Sequence, residues 1–178
     1  MKKIVCLFVS IILIVSGCSS NKENIEIVLD IPLPQMKHKE INLCAYTDTL
    51  FSPGLLLLID GDCSICISRI IDFENLLRRY PEIIKKLSPF IIIRTDTPYR
   101  FEYNIQQFED NNFFPTPPIF IDEGEHFLTA NTFIENREDL IIFDKNRRVK
   151  YLGNMPKKSE DLDKFLKDLT KAISKLSD

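Results

Sequence analysis

The sequence predicts an α/β chain with a central mixed β-sheet flanked by helices, and three observations carry that expectation. Uninterrupted apolar runs such as Leu55 to Ile59 have the character of strands covered on both faces. These runs alternate with stretches whose apolar residues recur at helical spacing, and the chain closes on strand, strand, helix. A Cys-x-x-Cys pair, Cys63 and Cys66, falls where the first buried-type strand gives way to the first amphipathic helix.

In chain order, Ile25 to Leu29 alternates weakly, and Ile31-Pro32-Leu33-Pro34 interrupts it, which predicts an extended lead-in. Glu40 to Tyr46 and Leu55 to Ile59 read as strands separated by a segment whose Pro53-Gly54 signals a turn. After Cys63, the residues Ile67, Ile70, Ile71, Phe73, Leu77 and Tyr80 mark a helix that Pro81 ends or kinks. Pro89 to Asp96 is a second buried strand, Tyr99 to Asn112 a polar-aromatic helix, and Phe113 to Pro118 a rigid loop. Ile119 to Asp122 and a short helix from Glu125 to Phe133 form an inserted strand-helix unit. Leu140 to Phe143 and Val149 to Gly153 make a hairpin around the turn Asp144 to Arg148. The last helix has Ser159 as expected N-cap, Glu160 and Asp161 in its first turn, and Leu162, Phe165, Leu166, Leu169, Ala172, Ile173 and Leu176 on one face.

The N-terminus carries Lys2 and Lys3, an apolar stretch from Ile4 to Val15 that is short for a membrane span, and then Ser16-Gly17-Cys18. This pattern is a signal peptide over residues 1–17. Val15-Ser16-Gly17-Cys18 resembles the bacterial lipobox, which makes Cys18 the lipidated first mature residue, and the alternative is an ordinary secretory signal with a chance cysteine. Residues 18–39 are then the lipidated cysteine, a polar tether and the lead-in, and 40–178 the folded domain. Removing 17 of the 178 residues leaves 161, enough for one domain with its own core. The 23 basic residues less Lys2 and Lys3 leave 21 against 26 acidic, a net charge of −5, and no basic cluster argues for nucleic acid.

Of the five cysteines, Cys6 leaves with the signal and Cys18 takes the lipid, so Cys44, Cys63 and Cys66 remain. Outside the cytoplasm a Cys-x-x-Cys is more a thiol switch than half a zinc site, since a second pair or a histidine pair is missing. His38 and His126 stand far apart and read as solvated or hydrogen-bonded structural residues. A thiolate at a helix N-terminus is favoured by the free N–H groups and the macrodipole, which makes Cys63 the nucleophile and Cys66 the resolving thiol. Asp60 and Asp62 pull the other way if they lie close to Cys63 in space, by like-charge repulsion; the alternative has both pointing to solvent, with Asp62 as an acid at the helix start. Cys44, in Ile41 to Tyr46, reads as a small buried hydrophobe rather than a third redox thiol. The run Pro115 to Pro118 reads as a rigid strand entry, and the basic stretch Lys145 to Lys150 as a solvated turn.

From Leu43 to Leu176 the chain resembles the membrane-anchored periplasmic thioredoxins related to those of cytochrome c maturation, within the wider thioredoxin and AhpC/TSA-like lipoprotein group. The strand before Cys63-Ser64-Ile65-Cys66, the inserted unit from Pro118 to Phe133, the turn in Ile142-Phe143-Asp144-Lys145-Asn146 and the terminal helix carry the resemblance. It implies a thioredoxin-like fold with Cys63 and Cys66 as catalytic dithiol; exchange through two sulfurs requires no external cofactor, and the sparse ligand set argues against a metal. The implied partners are cysteine-bearing exported proteins and an envelope redox protein that resets the pair, with the membrane reached through lipid on Cys18.

Two positions depart from the group. Asp62 stands where an aromatic residue usually precedes the first cysteine, and Glu138 stands where a cis-proline usually faces the dithiol. Pro115 or Pro117 could supply that proline only if Ile119 to Asp122 were the hairpin strand. A peroxidase of the AhpC/TSA kind is disfavoured, because its motif of Pro and Thr ahead of the cysteine is not recognisable. The competing class is a redox-inert thioredoxin-scaffold lipoprotein that binds another envelope component.

Overall fold

The protein is seen here in a computed structural model that describes residues 25–37, 41–50, 52–63, 66–109, 116–134, 139–156 and 161–176. Five strands form one mixed sheet: β1 (Gly54–Asp60), β2 (Ser88–Arg94), β3 (Ile119–Asp122), β4 (Leu140–Phe143) and β5 (Val149–Gly153), in the order β3-β2-β1-β4-β5. β1 pairs in parallel with β2, and β2 with β3, while β4 runs antiparallel to both β1 and β5. Leu57 faces Leu140, so the N-terminal end of β4 lies beside the C-terminal half of β1.

The two-residue period of β1 sorts its apolar run onto two cores. Leu55, Leu57 and Ile59 face one side, against Ile70, Phe73 and Leu77 of α2 (Cys66–Arg79), Phe101 and Ile105 of α4 (Pro98–Glu109), and Phe165 and Leu169 of α6 (Leu162–Ser174). Leu56 and Leu58 face the other, against Phe90, Phe120, Phe127, Phe143 and Leu43. That second face is covered by α1 (Leu43–Asp48), α5 (His126–Ala130) and the lead-in, whose Ile27, Leu29, Ile31 and Leu33 are all buried. After a single residue, Tyr80, α3 (Pro81–Lys86) follows α2, so Pro81 ends one helix and opens another. Among the described residues no helix is long and apolar enough to cross a membrane.

One expected strand is a helix. Residues 43–48 form α1 because Asn42 is an N-cap: its backbone is extended and its side-chain oxygen accepts the Ala45 N–H at 2.9 Å. Cys44 is therefore a half-buried helical residue rather than an interior strand residue. At the last helix, Asp161 occupies the cap position without a side-chain cap bond, and Ser159 lies outside the described residues. The basic turn is also more than a solvated loop. Arg147, at φ 62°, reaches Asp30 of the lead-in at 2.6 Å and Asp48 of α1 at 3.5 Å, pinning both to the hairpin.

Candidate functional site

β1 ends at Asp60, and a turn through Gly61 and Asp62 delivers Cys63 as an exposed, free thiol. Gly61 N–H donates to Arg94 O at 2.7 Å, and the turn lies so close to β2 that a Cβ there would run into Ile93, which favours glycine. α2 opens at Cys66. Residues 64 and 65 and the side chain of Cys66 lie outside the described part of the chain, so the distance between the two sulfurs does too, as do Cys18, His38, Pro115 and Glu138.

The two acidic neighbours of Cys63 are each committed elsewhere. Asp62 accepts Thr95 Oγ1 at 2.6 Å, Thr97 Oγ1 at 2.7 Å and the Asp96 N–H at 3.0 Å. The Thr95 hydroxyl, then the Asp96 N–H and the Thr97 hydroxyl, hold its carboxyl below the ordinary value. Asp62, although exposed, is thus held at both oxygens: it staples the turn before Cys63 to the loop between β2 and α4. Asp60 pairs with Arg94 at 3.2 Å, and the same guanidinium reaches Glu125 at 3.4 Å.

On the opposite side, Arg69 in the second turn of α2 forms an ion pair with Asp139, just before β4. Asp139 also accepts the Met155 N–H at 2.7 Å, while its backbone bonds to Leu58 of β1 and Gly153 of β5. The segment facing the dithiol end of β1 is therefore anchored by a charged pair. Because β3 is an edge strand parallel to β2 and β4 is the hairpin strand, the register that would bring Pro115 or Pro117 to the dithiol is not adopted. No cis peptide bond occurs among the described residues.

Sequence reasoning missed both anchors. Thr95-Asp96-Thr97-Pro98 is a legible helix entry, with Pro98 at the first position of α4, but its hydrogen-bond partner 33 residues earlier carries no local signal. Cys44 lies away from the dithiol turn, with its thiol 3.8 Å from Asp30 Oδ1; burial first, then the Asp48 and Asp30 carboxylates, push it up. The ligand atoms of Asp30, Cys44 and Asp48 lie within 4.8 Å of one another, but the charge this trio would offer a metal is taken by the Arg147 guanidinium. His126 uses its backbone N–H to bond Asp122, and its side chain lines a cleft at the sheet edge.

No protein-family profile matches the chain, and no curated protein matches it. Solved structures do. A Chlorobium tepidum protein assigned as the thiol:disulfide interchange protein DsbE superposes with a TM-score of 0.63 at 12% identity, over 85% of this chain and 97% of that one. A secreted Mycobacterium tuberculosis disulfide oxidoreductase homologous to DsbE gives 0.55 at 8% identity, over 80% and 96%. An uncharacterized conserved protein from Geobacillus kaustophilus gives 0.57 at 16% identity, over 76% and 70%. At such identities the likeness establishes the architecture: this chain has a thioredoxin-like fold, and its exposed Cys63 stands at the strand-to-helix junction of that fold.

Proposed function

We propose that this chain is a lipid-anchored thiol-disulfide oxidoreductase of the cell envelope, held to the membrane through Cys18 and acting on cysteines of exported proteins through Cys63 and Cys66. The observation that carries the proposal is an exposed cysteine at the end of β1, three residues before the helix-opening Cys66, within a thioredoxin-like fold. In the reaction, the Cys63 thiolate attacks one sulfur of a substrate disulfide and the other leaves as a thiolate that takes up a proton. Cys66 then attacks Cys63 in the mixed disulfide, releasing the second substrate thiol and leaving the enzyme pair oxidised. Two electrons pass to the substrate, and an envelope dithiol partner returns them. The chain itself supplies both sulfurs, so no cofactor enters.

Titrating the protein in glutathione buffers, with the oxidised fraction of Cys63 and Cys66 read by alkylation, tests this. A reversible transition at roughly −120 to −270 mV fits a working dithiol. A pair that stays oxidised below about −300 mV behaves as a structural bond. The Cys66→Ser variant should accumulate mixed disulfides with exported proteins, and capture of none would count against the proposal. The competing scaffold function draws support from Arg69 and Asp139, which put a charged pair beside the segment where substrate backbone docks in active members of the resembled group. Under it, a Cys63→Ser, Cys66→Ser double variant keeps its biological phenotype.

A further inference from the structure

We infer that the cleft between the lead-in and α4 is a docking groove for a basic, apolar segment of the polypeptide whose disulfide Cys63 exchanges, an inference that rests on the oxidoreductase function proposed above. The cleft has a volume of about 460 Å³ and lies at the C-terminal ends of the parallel strands, the end of an open α/β sheet where ligands bind. Asp60, Arg94 and Asp122 stand side by side at that end of β1, β2 and β3. Two strand spacings therefore put the groove roughly 10 Å from the end of β1, within reach of residues flanking a cysteine held at Cys63. A hydrogen bond also ties the two together, since Thr97 Oγ1 donates to the carboxylate of Asp62, next to Cys63, and the following residue, Pro98, lines the groove.

Its chemistry selects the occupant. Apolar side chains of the lead-in, Met36 and Ile121 line the interior, and Glu102 and Glu123 line it as well. Neither glutamate has an ion pair or hydrogen bond among the described residues. Arg94, the cation at the end of β2, is already shared between Asp60 and Glu125. Two carboxylates with no ion-pair partner among the described residues, over an apolar floor, suit a lysine or arginine beside an apolar residue. Tyr99 and Tyr103, 75% and 61% exposed and one turn apart on α4, give a further aromatic surface for a cation next to Glu102. Pro32 and Pro34 in the lead-in wall lack N–H donors, so the partner is recognised by its side chains rather than by strand addition.

The test uses the full chain carrying Cys63→Ser and Cys66→Ser, so that binding is read without chemistry, and three fluorescein-labelled ten-residue peptides. One alternates leucine with lysine, one leucine with glutamate, and one serine with lysine. The leucine-lysine peptide should bind at least tenfold more tightly than either of the others at low salt, and weaken as salt rises. In the Glu102→Gln, Glu123→Gln variant its advantage over the leucine-glutamate peptide should fall to within about threefold. Equal binding of all three, no binding of the leucine-lysine peptide, or an unchanged preference in the double glutamine variant would overturn the groove assignment. These outcomes are separate from the dithiol titration of the unsubstituted protein. A preference for the basic peptide with no reversible dithiol would leave the groove standing and remove the exchange reaction.

Discussion

At the residue scale, the position before Cys63 holds a loop rather than presenting an aromatic ring. Asp62 spends both carboxylate oxygens on the loop after β2, so its replacement should loosen that loop. With the carboxylate in contact with solvent, Asp62→Asn should cost about 1 kcal/mol, below the roughly 1.5–3 kcal/mol of hydrogen bonds to a charged group because water screens it. The pH dependence has a definite sign. Because the folded-state value of Asp62 lies below the unfolded one, its contribution is fully present above the ordinary carboxylate range and is lost as pH falls through the lowered value. Urea midpoints of the wild-type and Asp62→Asn proteins should therefore differ at pH 7 and converge on acidification below about pH 4, near the unfolded carboxylate value. A gap that stays constant to pH 3 would mean that the staple is not ionic. The Arg69–Asp139 pair makes a second prediction, since its side chains are only 17% and 22% exposed. A double-mutant cycle with Arg69→Ala and Asp139→Ala should return a coupling of about 2 kcal/mol, between the surface and the buried limits. A coupling under about 0.5 kcal/mol would reduce the pair to an incidental contact.

At the element scale, what the sequence made legible follows the source of each element's order. β1, β2, α2 and α6 carry their own period in Leu55 to Ile59, Phe90 to Ile93, Ile70 to Leu77 and Phe165 to Ile173, and each was readable. α1 was misread because the alternation in Ile41-Asn42-Leu43-Cys44 mimics a strand, while the decision rests on one Asn42 side chain capping a six-residue helix. The lead-in was read as extended, but its importance was hidden by Pro32 and Pro34, which stand at outward positions while Ile27, Leu29, Ile31 and Leu33 turn inward. What fastens it is a buried amide 103 residues away. Asn131 accepts the Val28 N–H at 2.7 Å and donates to Val28 O at 3.0 Å and Phe127 O at 2.9 Å, mimicking a strand partner. Asn131→Ala should cost about 2–3 kcal/mol by leaving the Val28 groups unpaired. The loss should be local: hydrogen exchange at Val28 and Ile27 should speed up markedly, while the β1 amides keep their protection. Uniform acceleration across the sheet would instead make Asn131 a global core residue.

At the scale of the whole molecule, the sheet is closed on one face by three helices and on the other by two short helices and the lead-in, so the second face is unfinished without residues 25–37. α1 and α5 have six and five residues, too few to cover Leu56, Leu58, Phe90, Phe120 and Phe143 by themselves. The lead-in also completes the sheet edge, where Met36 N donates to Ile119 O and Ile121 N to Pro34 O. Burying each of its four inward side chains contributes about 1.5–3 kcal/mol, roughly 6–12 kcal/mol in all as an upper figure. That is comparable with the whole stability of a domain, about 5–15 kcal/mol. The same segment forms one wall of the cleft, so fold and proposed docking share a part. A chain begun at Glu40 should therefore lack a cooperative thermal transition and bind a hydrophobic dye, whereas one begun at Asn24 should melt as the full chain does. If the shorter chain melted cooperatively within a few degrees of the longer, the lead-in would be an ornament on a self-sufficient domain. Its buried leucines and isoleucines would then contribute far less than their area implies.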